Sequence, residues 1–135
     1  MLIMGMGEKA YTASLEDYLE AIYLLSQEKE AVRVTELARK LKIRKASVSE
    51  ALKRLSKRNL IKHERYGAII LTDKGRKVAA EVNRRHQTFY RFLTEILGVD
   101  RELAEQDACA LEHAVSRQTL EKLIKFIEEN LKGRG

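Results

Sequence analysis

The stretch DACALEHAVS, residues 107–116, holds the only cysteine of the 135-residue chain, Cys109, followed three and four positions later by Glu112 and His113. Residues three and four apart share one face of a helix, so a thiol, a carboxylate and an imidazole are expected to project together. Such a trio could ligate a divalent transition metal. Further donors stand elsewhere in the chain. Asp17 and Glu20 are three apart in SLEDYLEAIYLLSQE, and His86 sits in the run NRRHQ. Each also has a plainer role available. Cys109 could be a small buried hydrophobe, Asp17 a capping residue, Glu112 a surface charge, and His86 one more polar group in a basic run. Taken jointly they favour a metal, because the sole cysteine and two of the three histidines fall in one set. The C-x-x-E-H spacing is not that of a zinc finger, since no second cysteine exists. His63, the third histidine, lies in a strand-like run and is left out of the set.

These donors need elements to position them. Leu15, Leu19, Ile22 and Tyr23 recur at helical spacing after Ser14, an expected N-cap with Asp17 at N3. VTELARKLK reads as a second, short helix capped by Thr35. After a tight connection at Ile43 and Arg44, KASVSEALKRLSKRN reads as a third, with Val48, Ala51, Leu52 and Leu55 as its apolar stripe. LIKHE and AIILT, joined through Arg65, Tyr66 and Gly67, carry a hairpin signal. A long helix is expected from Asp73 to Gly98, with Gly75 as a break near its start. Asp100 opens DRELAEQDACALEHAV, and Ser116 caps SRQTLEKLIKFIEENL. The order is three helices, a hairpin and three helices, with no internal repeat. The expected fold is mostly α: a winged helix-turn-helix over 1–73, then a helical domain over 74–135.

The net charge of +6 is unevenly spread. Residues 31–77 hold fifteen Lys/Arg against four Asp/Glu, a local charge of +11, whereas the flanking segments are slightly acidic. Concentration of positive charge in one segment points to nucleic acid. In a helix-turn-helix the second helix lies in the major groove with its N-terminal residues at base edges. Ala46, Ser47 and Ser49 are small enough for close approach and can meet base edges, phosphate or thymine methyl groups. Arg44, Lys45, Arg54 and Lys57 are placed to anchor phosphates. The expected DNA-binding set is completed by Thr35, Lys53, and Arg65 and Tyr66 of the wing. No apolar run approaches the ~20 residues of a spanning helix. A lone cysteine forms no internal disulfide, which fits a cytoplasmic protein.

EDYLEAIYLL, VTELARKL, ASVSEALKRL, LTDKGRKVA, RRH and CALEHAVS together resemble the diphtheria toxin repressor and manganese transport regulator family, over roughly residues 12–131. The resemblance implies a metal-dependent transcriptional repressor, a homodimer on double-stranded DNA with a palindromic operator, in which 74–135 is a helical dimerisation and metal-binding domain with no SH3-like third domain. It places the metal ligands on Asp17, Glu20, His86, Cys109, Glu112 and His113. The chain is a hybrid of the family's two branches. Asp17 and Glu20 match the manganese regulators, whereas the iron-responsive repressors share the cysteine but carry methionine at the position of Asp17. The iron branch's second site is incomplete, because Tyr90 and Glu105 stand where it has a Glu and a His. Fe(II) or Mn(II) is the implied corepressor, and Zn(II) or Co(II) could substitute in vitro. One thiolate among oxygen and imidazole donors tips the choice toward Fe(II).

Two other readings share parts of this pattern. A metal-independent winged-helix regulator responding to a small ligand would keep the basic segment and leave the Cys109 cluster as coincidence. An enzyme, either a metallohydrolase or a thiol catalyst, lacks support. The chain has no second cysteine and no Gly-rich phosphate loop.

Overall fold

The computed structural model describes residues 13–64 and 67–132. The elements are α1 (Ala13–Glu28), α2 (Val34–Leu41), α3 (Lys45–Lys57), β1 (Ile61–His63), β2 (Ile69–Leu71), α4 (Asp73–Arg91), α5 (Arg101–Glu112) and α6 (Arg117–Leu131). They fall into two compact units that divide within α4, one over Ser14–Val82 and the other from Asn83 onward. Among the described residues no helix is long and apolar enough to cross a membrane.

The first unit is a winged helix-turn-helix. Leu19 and Ile22 of α1, Leu37 of α2, and Val48, Leu52 and Leu55 of α3 are buried, the stripes expected from their spacing. The turn between α2 and α3 is made by Lys42, which adopts the left-handed conformation at φ 58°. The Ile43 N–H then donates back to the Ala38 carbonyl at 3.1 Å and the Lys42 N–H to Arg39 at 3.3 Å, a Schellman closure in a place that usually takes Gly or Asn. Asn59 ends α3 in the same way, at φ 61°, with the Leu60 N–H donating to the Leu55 carbonyl at 3.0 Å. The wing pairs Ile61 with Leu71 and His63 with Ile69, antiparallel. A bridge from Ile69 to Val32 ties it to the segment before α2.

Two expected caps differ. α1 already includes Ala13, so Ser14 sits inside the helix, a shift of the size common at helix ends. α2 starts at Val34 with Arg33 as N-cap, so Thr35 is not its cap. Instead the Glu36 carboxylate accepts the Arg33 backbone N–H at 3.1 Å and pairs with Lys29. Those contacts hold the Glu36 carboxyl below the usual range, the Lys29 hydrogen bond foremost.

Gly75 does not break α4. Thr72 is the helix cap, its Oγ1 accepting the Gly75 N–H at 3.0 Å while donating to the Asn59 carbonyl at 2.6 Å. Thr72→Ala removes both bonds. It is expected to cost about 1 kcal/mol of stability, read as a lower urea midpoint with unchanged slope.

The second unit packs Phe89 and Leu93 against Ala104 and Ala108 of α5 and Leu120, Ile124, Ile127 and Leu131 of α6. The last turn of the long helix, Phe92–Ile96, widens to π geometry, with the Leu97 N–H reaching the Phe92 carbonyl at 3.1 Å. Gly98, at φ 71°, ends it. Asp100 caps α5 by accepting the Glu102 N–H, and Ser116 caps α6 by accepting the Thr119 N–H. Leu123 of α6 is exposed together with Phe126, Leu97 and Leu103.

Candidate metal centre and DNA-binding face

In the first unit, α1 carries Asp17 and Glu20, both half-buried. Their neighbours Leu15, Glu16, Tyr18 and Leu19 are buried. Burial also pushes the Tyr18 phenol above its ordinary pKa. Along α3 the buried face is Val48, Ala51, Leu52 and Leu55, which leaves Lys45, Ala46, Ser47, Ser49, Lys53, Arg54 and Lys57 exposed. Arg44, the N-cap, and Thr35 on α2 are exposed too. Within α3, Lys53 faces Glu50 at 3.8 Å with both side chains largely in solvent, a pair worth little. Arg65 and Tyr66 lie outside the described residues.

In the second unit, the candidate donors at the end of α5 lie at different depths. Glu112 is 1% exposed and His86 8%, and the His86 Nδ1 lies 3.3 Å from Glu112 Oε1. Cys109 and His113 are half-buried, with the thiol and a ring nitrogen within 4.8 Å of each other. The expected donors thus make two close approaches, carboxylate with imidazole and thiol with imidazole. α5 stops at Glu112, and His113 is its C-cap at φ −110°, ψ 1°.

Two residues around His86 were not in the expected ligand set. Glu105, one turn before Cys109, places Oε1 2.5 Å from His86 Nε2, so the ring is held by a carboxylate on each nitrogen. Arg85, in the same basic run as His86, is 4% exposed with Nε 4.0 Å from Glu112 Oε2. A signal for its burial was present: Val82, Arg85, Phe89 and Leu93 recur at helical spacing, and all four are buried.

Carboxylate, imidazole and thiol at these positions fit a first-row divalent cation. A buried ionised carboxylate is costly unless compensated by hydrogen bonds, cations or a metal, and Glu112 is such a group.

Comparison with known proteins agrees with both units. Residues 10–69 match the iron dependent repressor N-terminal DNA binding domain, and residues 72–131 match the iron dependent repressor metal binding and dimerisation domain. An HTH-type transcriptional regulator of Methanocaldococcus jannaschii is 41% identical over 117 residues, 86% of this chain and 94% of that protein. The HTH-type transcriptional regulator MntR of Bacillus subtilis is 34% identical over 122 residues, 88% of this chain and 85% of that protein. Among solved structures, the manganese regulator SloR aligns with a TM-score of 0.71 at 32% identity, covering 84% of this chain and 53% of that one. A manganese-dependent transcriptional repressor in complex with manganese aligns with a TM-score of 0.72 at 31% identity, covering 84% and 52%. The chain spans about half the length of those two solved chains. It belongs to the iron-dependent repressor family, the metal-dependent transcriptional regulators typified by the diphtheria toxin repressor and the manganese transport regulator.

Proposed function

We propose that this protein is a cytoplasmic repressor of metal-ion homeostasis genes that binds a palindromic operator as a homodimer, with Fe(II) or Mn(II) as corepressor. The observation that carries the reading is the buried Glu112–His86 pair in a chain whose other unit presents an exposed basic recognition helix. Residues 1–73 form the DNA-binding domain and 74–135 the metal-binding and dimerisation domain. The ligands are Asp17, Glu20, His86, Cys109, Glu112 and His113. A bound divalent cation supplies concentrated positive charge that draws carboxylates, imidazoles and a thiolate to one centre. Because the donors come from both units, holding that centre restricts the two units to fewer relative arrangements, and the dimer then offers two recognition helices about one DNA turn (~34 Å) apart. The stabilisation equals the difference in metal affinity between the competent and incompetent states. Exposed Leu103, Leu123 and Phe126 support a self-association surface on the second unit.

The two solved relatives bear manganese in their descriptions and the family bears iron. In this chain the Cys109 thiolate shifts preference toward Fe(II), since softer ligands favour later metals. The test is anaerobic enrichment of sheared genomic DNA with chelator, with Mn(II) and with Fe(II) at fixed salt. Recovery of a few palindromic sites only with metal supports the proposal, and the more effective ion names the corepressor. Equal recovery with chelator overturns it in favour of a metal-independent regulator.

On the DNA side, Ala46, Ser47 and Ser49 meet base edges. Arg44, Lys45, Arg54 and Lys57 hold phosphates, assisted by Thr35, Lys53, Arg65 and Tyr66. Arg44→Ala should therefore weaken binding to all sequences alike and reduce the salt-dependence slope by about 1. Fluorescence anisotropy at several salt concentrations reads both. A changed sequence preference with an unchanged slope would assign Arg44 to a base instead.

A further inference from the structure

We propose that Arg85 sets the strength of metal binding by neutralising Glu112 when no metal is bound. The inference rests on Glu112 being a metal ligand, as proposed above. Arg85 is 4% exposed and Glu112 1%, and Arg85 Nε lies 4.0 Å from Glu112 Oε2. The other carboxylate oxygen, Oε1, lies 3.3 Å from His86 Nδ1. Arg85 is always protonated, so a permanent positive charge sits beside a candidate ligand of a dication, where solvent screens it little.

That placement has two consequences of the same sign. In the metal-free protein Arg85 compensates the buried carboxylate, whose charge would otherwise be costly, so it stabilises the state that metal must displace. In the metal-bound protein Arg85 and the dication face the same carboxylate and repel each other. Both effects weaken metal binding. Arg85 is thus a positioning residue that raises the metal concentration at which the repressor responds. Without it the site would be filled at lower metal and would sense a lower threshold.

The experiment measures Mn(II) affinity of the full chain by competition with a fluorescent chelator, and urea unfolding of the metal-free protein. Arg85→Met removes the charge and keeps much of the side-chain volume. It is expected to tighten Mn(II) binding by at least about tenfold, worth about 1.4 kcal/mol, and to lower metal-free stability. Arg85→Lys keeps the charge and should restore affinity to within about threefold of the parent, which a purely space-filling role would not do. Should Arg85→Met fail to fold, Arg85→Gln carries the same expectation. In a Glu112→Gln background the substitution at 85 should no longer tighten binding. Unchanged or weaker Mn(II) binding by Arg85→Met, with Glu112→Gln having lost binding, overturns the role of Arg85 and leaves the metal site standing. Parental binding by Glu112→Gln overturns the assignment of Glu112 as a ligand and the role of Arg85 with it.

Discussion

Replacing Glu112 with glutamine should abolish metal-stimulated DNA binding while the protein still folds. The amide keeps the shape of the carboxylate and loses its charge. Glu112 is buried against His86 and Arg85. Loss of a hydrogen-bonding partner around a metal already costs ten- to hundredfold in affinity, and loss of an anionic ligand itself should cost about a hundredfold or more. The substitution also removes the carboxylate charge 4.0 Å from the Arg85 guanidinium, so the metal-free variant should unfold at lower denaturant while remaining cooperative. The measurement is a metal titration of binding to an operator recovered by the enrichment experiment, with far-UV circular dichroism as the control for folding. Metal-stimulated binding retained at parental metal concentrations would remove Glu112 from the site.

The second large effect concerns Gly75. An alanine Cβ at this position would lie 1.8 Å from the Leu60 carbonyl oxygen and 2.8 Å from its carbon. Leu60 cannot easily retreat. Its N–H is bonded to the Leu55 carbonyl, and its own carbonyl accepts the Thr72 N–H at 3.1 Å. Helix propensity alone would favour alanine by about 1 kcal/mol. A backbone clash in a packed junction costs more than that, so Gly75→Ala should be destabilising by at least about 2 kcal/mol net, roughly 10 °C in melting temperature for a unit of this size. Gly98→Ala is the control. Its Cβ would meet nothing within 4 Å, and only its φ of 71° opposes the change, a cost of about 1 kcal/mol. A thermal melt in which Gly75→Ala equals or exceeds the parent would mean that α4 and the start of β1 do not approach as closely as described.

These two residues also mark the division between what could be read from the chain and what could not. Helix periods, the hairpin, the caps at Asp100 and Ser116 and the basic segment are local patterns, each written within one or two turns of chain. The sequence therefore determined a winged helix-turn-helix joined to a second helical unit, and a set of candidate donors. Gly75 looked like a helix break because nothing local reports that another backbone presses on it. Helical spacing grouped Cys109, Glu112 and His113, but it said nothing of which helix faces them, and the approach of His86 on α4 to Glu112 is a contact between helices. Arg85 lies in the basic run NRRHQ, where composition and helical periodicity point in different directions. Only tertiary structure decided that it is buried beside Glu112, and that Glu105 reaches the far nitrogen of His86. Pairings between helices depend on how α4 and α5 rotate about their axes when Phe89, Leu93, Ala104 and Ala108 pack. That rotation is set by side-chain volumes throughout the core, which no short stretch of sequence contains.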